Sequence, residues 1–371
     1  MTDVNELKQF AEVHLRRQKI PRYRELLDGI RSDGDGTPGS WVREWCRAAE
    51  LLERRGRFLD ASRHYAMARF PYVNGSARQE AQDRCIHTFD SWRRGGTGIE
   101  RLDIAVPGGS VGCWASGLSG AARRPLLLIM GGIVTVKEQW GMALTKAKWL
   151  GMAGVVAEMP GVGENTLPYS AESWRMISGL LDALSDRANV AQTYAAALSF
   201  SGHMALRCAV DDSRIRGIVT VGAPVSEFFT DTAWQRRLPR ITSDTLAHMT
   251  GAHMTGAGSD AVTGELDSLA ITRQQLAALE IPVCYAASSR DEIIPASEVR
   301  HLKCHLRQLR LVEYDDVHAS PRHVAETQLW SILSLFRMRG VRNPLSAAVN
   351  ILWQAQRARR RLTGFWSAEA S

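Results

Sequence analysis

The segment Ala195-Ala196-Ala197-Leu198-Ser199-Phe200-Ser201-Gly202-His203 allows few folds. An apolar run of small residues ends in a serine, and a helix-patterned stretch, Met204 to Ala209, begins at once. A strand that turns into a helix on one serine strains that residue's backbone and lifts its hydroxyl clear of the sheet edge. The residues two before and two after must then be small. Ala197 and Ser201 satisfy this where glycines are usual, whereas centring the turn on Ser201 would place the bulky His203 at a flank. The plain alternative is that Ser199 only caps the following helix.

Order along the chain argues for more than a cap. Ile281 to Ala287 reads as a buried parallel strand, and Asp291 follows it, with Pro295 ahead of a helix from Ala296 to His305. Leu309 to Tyr314 reads as the next strand, and His318 lies in the loop after it. A serine hydroxyl is a weak nucleophile near neutral pH, so an imidazole must take its proton and a carboxylate must fix the imidazole tautomer. Ser199, His318 and Asp291 are the candidates, with His323, placed after Pro321, as the second-choice base. The strand Pro125 to Met130 runs into Gly131-Gly132-Ile133, so the N–H groups of Phe200 and of Gly132 or Ile133 are the candidate oxyanion donors. Glu227, just beyond Gly222-Ala223-Pro224, is either an auxiliary acid or an ordinary loop carboxylate. The loop Glu158 to Asn165 lacks a dinucleotide or P-loop fingerprint and is read as framing the pocket.

Taken together, Gly131-Gly132, Lys137-Glu138, Pro160-Gly161-x-Gly163-Glu164, Ser199, Asp291-x-x-x-Pro295 and His318 resemble the fermentation-respiration switch protein family of α/β-hydrolases. That group is similar to 2,6-dihydroxypseudooxynicotine hydrolase and to fungal hydrolases that shorten pigment polyketides. The resemblance runs from about Trp41 to about Phe336, departing at Ala197 and Ser201 from the G-x-S-x-G pattern. It implies an α/β-hydrolase fold, a mostly parallel doubly wound sheet with an N-terminal helical domain and a helical cap insertion. It also implies a Ser199, Asp291, His318 triad acting on an ester, a thioester or a carbon-carbon bond beside a ketone. An acyltransferase or cyclase using the same site, or a ligand-binding homologue without hydrolysis, stays open.

Residues 1–95 carry helix-period segments, among them Trp41 to Arg55 and Phe58 to Arg69, and form the expected helical domain. Residues 96–340 form the hydrolase core, entered through a hairpin around Pro107-Gly108-Gly109-Ser110, with the cap insertion at about 224–280. The pocket is expected between cap and helical domain, mainly apolar; Met249 and Met254 are either adaptable substrate contacts or plain core filler, and Trp41, Trp45, Phe58, Tyr65 and Trp92 read first as helix packing, with a place for some at the pocket mouth as the alternative. The chain's formal charge of +7 collects beyond Phe336, where seven arginines face Glu369 alone. Residues 341–371 therefore read as a basic C-terminal helix, docked through Val349, Ile351, Leu352 and Trp353. Its basic end is either solvated or a contact for an acidic carrier protein or an anionic surface. With the rest nearly neutral, no nucleic-acid partner is expected, nor a membrane one, since no apolar run spans a bilayer. A small-molecule substrate, no cofactor and no metal, a homodimer as an open option, and a cytoplasmic location without signal region complete the expectations. Cys46, Cys85, Cys113, Cys208, Cys284 and Cys304 lack metal-ligand spacing and read as reduced thiols.

Overall fold

Short apolar runs alternating with helical segments call for a largely parallel sheet covered on both faces. A computed structural model of the protein describes residues 3–34, 36–251 and 266–368, with side chains in the final helix as far as Arg359. Its strands are β1 (Ile99–Val106), β2 (Gly109–Ser116), β3 (Pro125–Met130), β4 (Ala153–Ala157), β5 (Asn189–Ala197), β6 (Ile215–Val221), β7 (Val283–Ser288) and β8 (Leu309–Tyr314). They form one sheet in the order β1-β2-β4-β3-β5-β6-β7-β8. β2 runs antiparallel to β1 and to β4, and the remaining pairs are parallel.

β3 shows why the sheet needs two covers. Leu126, Leu128 and Met130 enter one apolar cluster with Ile177 and Leu180 of helix Arg175–Leu184 and Phe200 and Met204 of helix Phe200–Asp211. Leu127 and Ile129, pointing the other way, join Trp330, Leu333 and Phe336 of helix Val324–Met338. The period of two thus divides one strand between two cores. Each fully buried side chain of this size contributes about 1.5–3 kcal/mol relative to exposure.

Ahead of the sheet stand five helices, α1 (Val4–Gln18), α2 (Tyr23–Gly29), α3 (Trp41–Arg54), α4 (Phe58–Ala68) and α5 (Ser76–Arg94). Leu7, Ala11 and Leu15 of α1, spaced four apart, share a buried cluster with Trp41, Trp45 and Phe70. Two buried arginines close this region. Arg78 pairs with Asp33 and donates to the Phe70 carbonyl, while Arg69 donates to the carbonyls of Pro71 and Val134. The second contact ties the helical region to the loop after β3. Between β6 and β7 lies the expected insertion, with helices at Glu227–Thr230, Thr232–Gln235, Arg240–Thr250 and Arg273–Ala278. Its centre, including Met254, lies outside the described residues. Phe228 meets Phe200 edge-on at 5.2 Å, and the His203 ring accepts from the Tyr169 hydroxyl while donating through Nε2 to the Leu269 carbonyl.

The C-terminal helix spans Pro344–Ala368 and docks on helix Val324–Met338 through Val349 and Trp353. Ile351 and Leu352, expected on the same face, are exposed, because residues two and one before Trp353 fall on other sides of a 3.6-residue turn. Among the described residues no helix is long and apolar enough to cross a membrane.

Behind the loop after β3 the protein buries a charge cluster. Lys137 Nζ lies 3.0 Å from Glu138, 3.3 Å from Glu158 and 2.5 Å from Glu164, and Arg101 also pairs with Glu164. Glu158 further accepts from the Lys137 and Glu164 backbone N–H groups, and Trp114 Nε1 donates to Glu138. Burial, only partly offset by Lys137, pushes the Glu158 carboxyl up to about 7. Removing the central cation strands the carboxylates in low dielectric. Lys137→Met is therefore expected to destabilise the protein by about 3–5 kcal/mol. Chemical denaturation checks this, and a loss below about 1 kcal/mol would show that the cluster does not depend on the lysine.

Candidate active site

The turn from β5 into helix Phe200–Asp211 holds Ser199 at φ 57°, ψ −129°, a conformation that costs a non-glycine residue about 1–3 kcal/mol. Two neighbouring strands hold it there. Leu198 N–H donates to the Met130 carbonyl at the end of β3, and Ser199 N–H to the Val221 carbonyl at the end of β6. The Ser201 hydroxyl turns inward onto the Met130 and Leu198 carbonyls, leaving Ser199 as the hydroxyl that faces the cavity.

Ser199 Oγ lies 3.3 Å from His318 Nε2, and His318 Nδ1 lies 3.0 Å from both carboxylate oxygens of Asp291. Asp291 Oδ1 also accepts from the Ile293 and Ile294 N–H groups, which fixes its plane. The loops carrying the acid and the imidazole are tied together by Ser289 N–H to the Tyr314 carbonyl and Arg290 N–H to the Asp316 carbonyl. After His318 the chain turns through two residues at positive φ, Ala319 and Ser320, a strained pair that swings the backbone back into helix Val324–Met338. Gly222, at φ +57°, passes so close that a Cβ there would lie 2.9 Å from His318 Cε1.

The glycine loop after β3 completes the arrangement. A Cβ on Gly132 would lie 3.2 Å from Ser199 Cβ, so this backbone runs directly beside the hydroxyl. Ile133 and Phe200 line the cavity, and their backbone N–H groups have no hydrogen-bond partner among the described residues. Such free donors at a serine suit an oxyanion forming on a bound carbonyl. Arg69 holds the loop from the far side at Val134, and Gln18 of α1 donates to the Gln139 carbonyl.

Electrostatics favour a basic imidazole. Burial works against a charged His318, but the charge and hydrogen bond of Asp291, followed by the charge of Glu292, outweigh it and raise its pKa above the ordinary value. Glu292, which no sequence pattern singles out, joins the site: its Oε2 accepts the His318 backbone N–H at 3.0 Å. Of the two readings of Glu227, the one without an auxiliary role at the site fits its position. Its carboxylate lies 3.1 Å from His301 Nδ1 and does not line the cavity, because helix Ala296–His305 presents a hydrogen-bond partner away from the site. His323 is engaged with Asp316.

The cavity measures about 570 Å³. Ile133, Val134, Leu198 and Val221 supply apolar surface around Ser199, and Pro239 and Ile241 come from the insertion. Met249 is core filler, buried away from the cavity, and Trp41, Trp45, Phe58, Tyr65 and Trp92 take the helix-packing reading, none of them reaching the cavity. Those aromatics stay with their helices; the helical wall is α1. Phe10, Val13, His14 and Arg17 are spaced at i, i+3, i+4 and i+7, the face adjoining the Leu7-Ala11-Leu15 stripe. That spacing was readable, but its destination was not. The lining is mainly apolar, as expected, with Glu6, Glu12, Arg16, Arg17, Arg290 and Glu292 adding charge to it.

Comparison with known proteins agrees with this architecture. Solved structures include AbyA5 wildtype, 45% identical, with a TM-score of 0.90 over 95% of this chain and 99% of that one. The 2,6-dihydroxy-pseudo-oxynicotine hydrolase shares the fold at 18% identity, with a TM-score of 0.71 over 89% of this chain and 97% of that one. Among curated proteins, the esterase FrsA of Salmonella paratyphi B is 25% identical over 74% of this chain and 71% of its own length. For the esterase FrsA of Photobacterium profundum the figures are 22% identity and 68% of this chain, and the match spans 64% of that enzyme. The model of the family described as esterase FrsA-like matches residues 25–313, which include Ser199 and Asp291 and stop before His318. Covering well over half of the chain, that match assigns this protein to the FrsA-like esterase family of α/β-hydrolase enzymes.

Proposed function

We propose that this protein hydrolyses an ester or thioester of a small, moderately hydrophobic metabolite through an acyl-serine intermediate. One observation carries the reading: a strained Ser199 hydroxyl 3.3 Å from an imidazole that Asp291 orients, facing a cavity beside two unpartnered backbone N–H groups. His318 Nε2 takes the Ser199 proton as Oγ adds to the substrate carbonyl carbon. The resulting oxyanion accepts from the Phe200 N–H and from Ile133 or Gly132. Collapse of the adduct expels the alcohol or thiol, which leaves with the proton held by His318. Water, deprotonated by the same nitrogen, then attacks the acyl group and releases the acid, restoring Ser199. Asp291 keeps the Nδ1–H in place and offsets the transient positive charge on the ring. Most of these roles need only small displacements, because the acid, base and hydroxyl already form one hydrogen-bonded line.

Ser199→Ala is expected to reduce turnover roughly a thousandfold or more while the protein stays folded. A fluorophosphonate should label the native protein at Ser199. Hydrolysis in H₂¹⁸O should place the heavy oxygen in the released acid, and an acid lacking it would overturn the acyl-serine route. The imidazole can be examined separately by NMR titration. Because the Glu292 charge helps raise the His318 pKa, Glu292→Gln should lower it, moving loss of the ring proton to lower pH. An unchanged titration would remove Glu292 from the electrostatics of the base.

A further inference from the structure

The cavity contains a cation that the acyl chemistry above does not use. Arg17 projects from α1 into the same space as Ser199, with its guanidinium 5.1 Å from the centre of the Trp140 ring. Trp140 is itself fixed by a 3.3 Å hydrogen bond from Nε1 to Thr135, in the loop that carries the oxyanion donors. Arg17 Nε is buried with no acceptor, and no hydrogen bond or ion pair engages this side chain among the described residues. The acids sharing the cavity are occupied elsewhere. Glu6 accepts from Ile241 N–H, Glu12 is held by Arg16 and Tyr23, Glu292 accepts from His318 N–H, and Asp316 is held by Arg322 N–H and His323.

Burying a guanidinium without a counter-charge is costly, and burial alone lowers the Arg17 pKa to about 10. His14, one turn earlier and also lining the cavity, is driven to about 3 by burial and by the charges of Arg17 and Arg69, and so stands as an uncharged ring. A neutral imidazole offers a hydrogen bond without competing for an anion. Trp140 holds the guanidinium plane in place, reducing the ordering cost of binding.

The geometry points to an anion-binding subsite formed by Arg17 with His14 beside it, so that the substrate carries an anionic oxygen group, a carboxylate or an ionised enol, in addition to the acyl bond. This assignment rests on the proposed serine chemistry and gives its substrate a charge class. It also links binding to the base. The Arg17 charge disfavours protonation of His318 across the cavity. An anion seated on Arg17 offsets that effect, and the imidazole becomes a stronger base when the correct substrate is bound.

The test compares mono-p-nitrophenyl glutarate, which carries a free carboxylate, with neutral p-nitrophenyl valerate. In Arg17→Met the ratio of kcat/KM for the anionic over the neutral ester should fall on the order of 10- to 100-fold, the worth of a charge-assisted hydrogen bond. Arg17→Lys, which keeps the charge but loses the planar fork, should fall less, and it decides the matter if the methionine variant does not fold. Equal losses for both esters would make Arg17 a structural residue and overturn the subsite. A second arm needs no turnover: calorimetric binding of 4-phenylbutyrate and 4-phenylbutanamide to Ser199→Ala. Preference for the anion, abolished by adding Arg17→Met, supports the subsite even if neither ester is hydrolysed. Equal binding of acid and amide overturns it, whatever the fate of the serine mechanism.

Discussion

Everything at the site depends on one strained turn. Ser199 adopts a backbone conformation that a free chain would leave, and it stays because Met130 at the end of β3 and Val221 at the end of β6 accept its neighbouring N–H groups. The same Met130 carbonyl takes the Ser201 hydroxyl, so this flanking serine serves the turn from inside. Because β3 and β6 flank β5 in the sheet, the pairing that builds the core also holds the strain. The loops that follow these strands then converge on the hydroxyl. Gly132 passes beside it after β3, and Gly222 makes room for the imidazole after β6.

Charge is buried around this frame as well as at its centre, where Asp291 faces His318. Lys137 and three glutamates lie behind the glycine loop after β3, Arg69 fastens that loop to the helical region, and Arg17 faces the cavity. The three positions differ in how their desolvation is met. Lys137 has carboxylates on several sides, and Arg69 has backbone carbonyls. Arg17 has the face of Trp140 alone. Low dielectric strengthens each satisfied contact and raises the cost of each missing one.

Helix α1 joins these two themes. Its Leu7-Ala11-Leu15 stripe packs into the helical region, Gln18 reaches the loop after β3, and Glu6 accepts from the insertion at Ile241. One helix thereby touches the loop after β3, the cap and its own small core. The face left over, from Phe10 to Arg17, becomes a wall of the cavity. The helical region is therefore part of the pocket and not an appendage to the sheet.

The chain of amino acids by itself determined the elements that local pattern controls. The strand from Leu309 to Tyr314 and the helix from Ala296 to His305 were legible to the residue, because buried runs and helical spacing have short periods. Ser199, Asp291 and His318 were legible for a related reason: each follows a strand, and parallel strands all deliver their ends to one edge of the sheet. Tertiary structure alone decided what came to rest opposite them. Nothing in the local pattern distinguishes Glu227, which pairs with His301, from Glu292, which bonds the His318 backbone, since both are loop or helix-start acids a few residues past a strand. Arg17 lies 182 positions before Ser199, and no local period carries information over that distance. Its place in the cavity follows from how α1 buries its other face, a packing choice made only when the helical region meets the sheet.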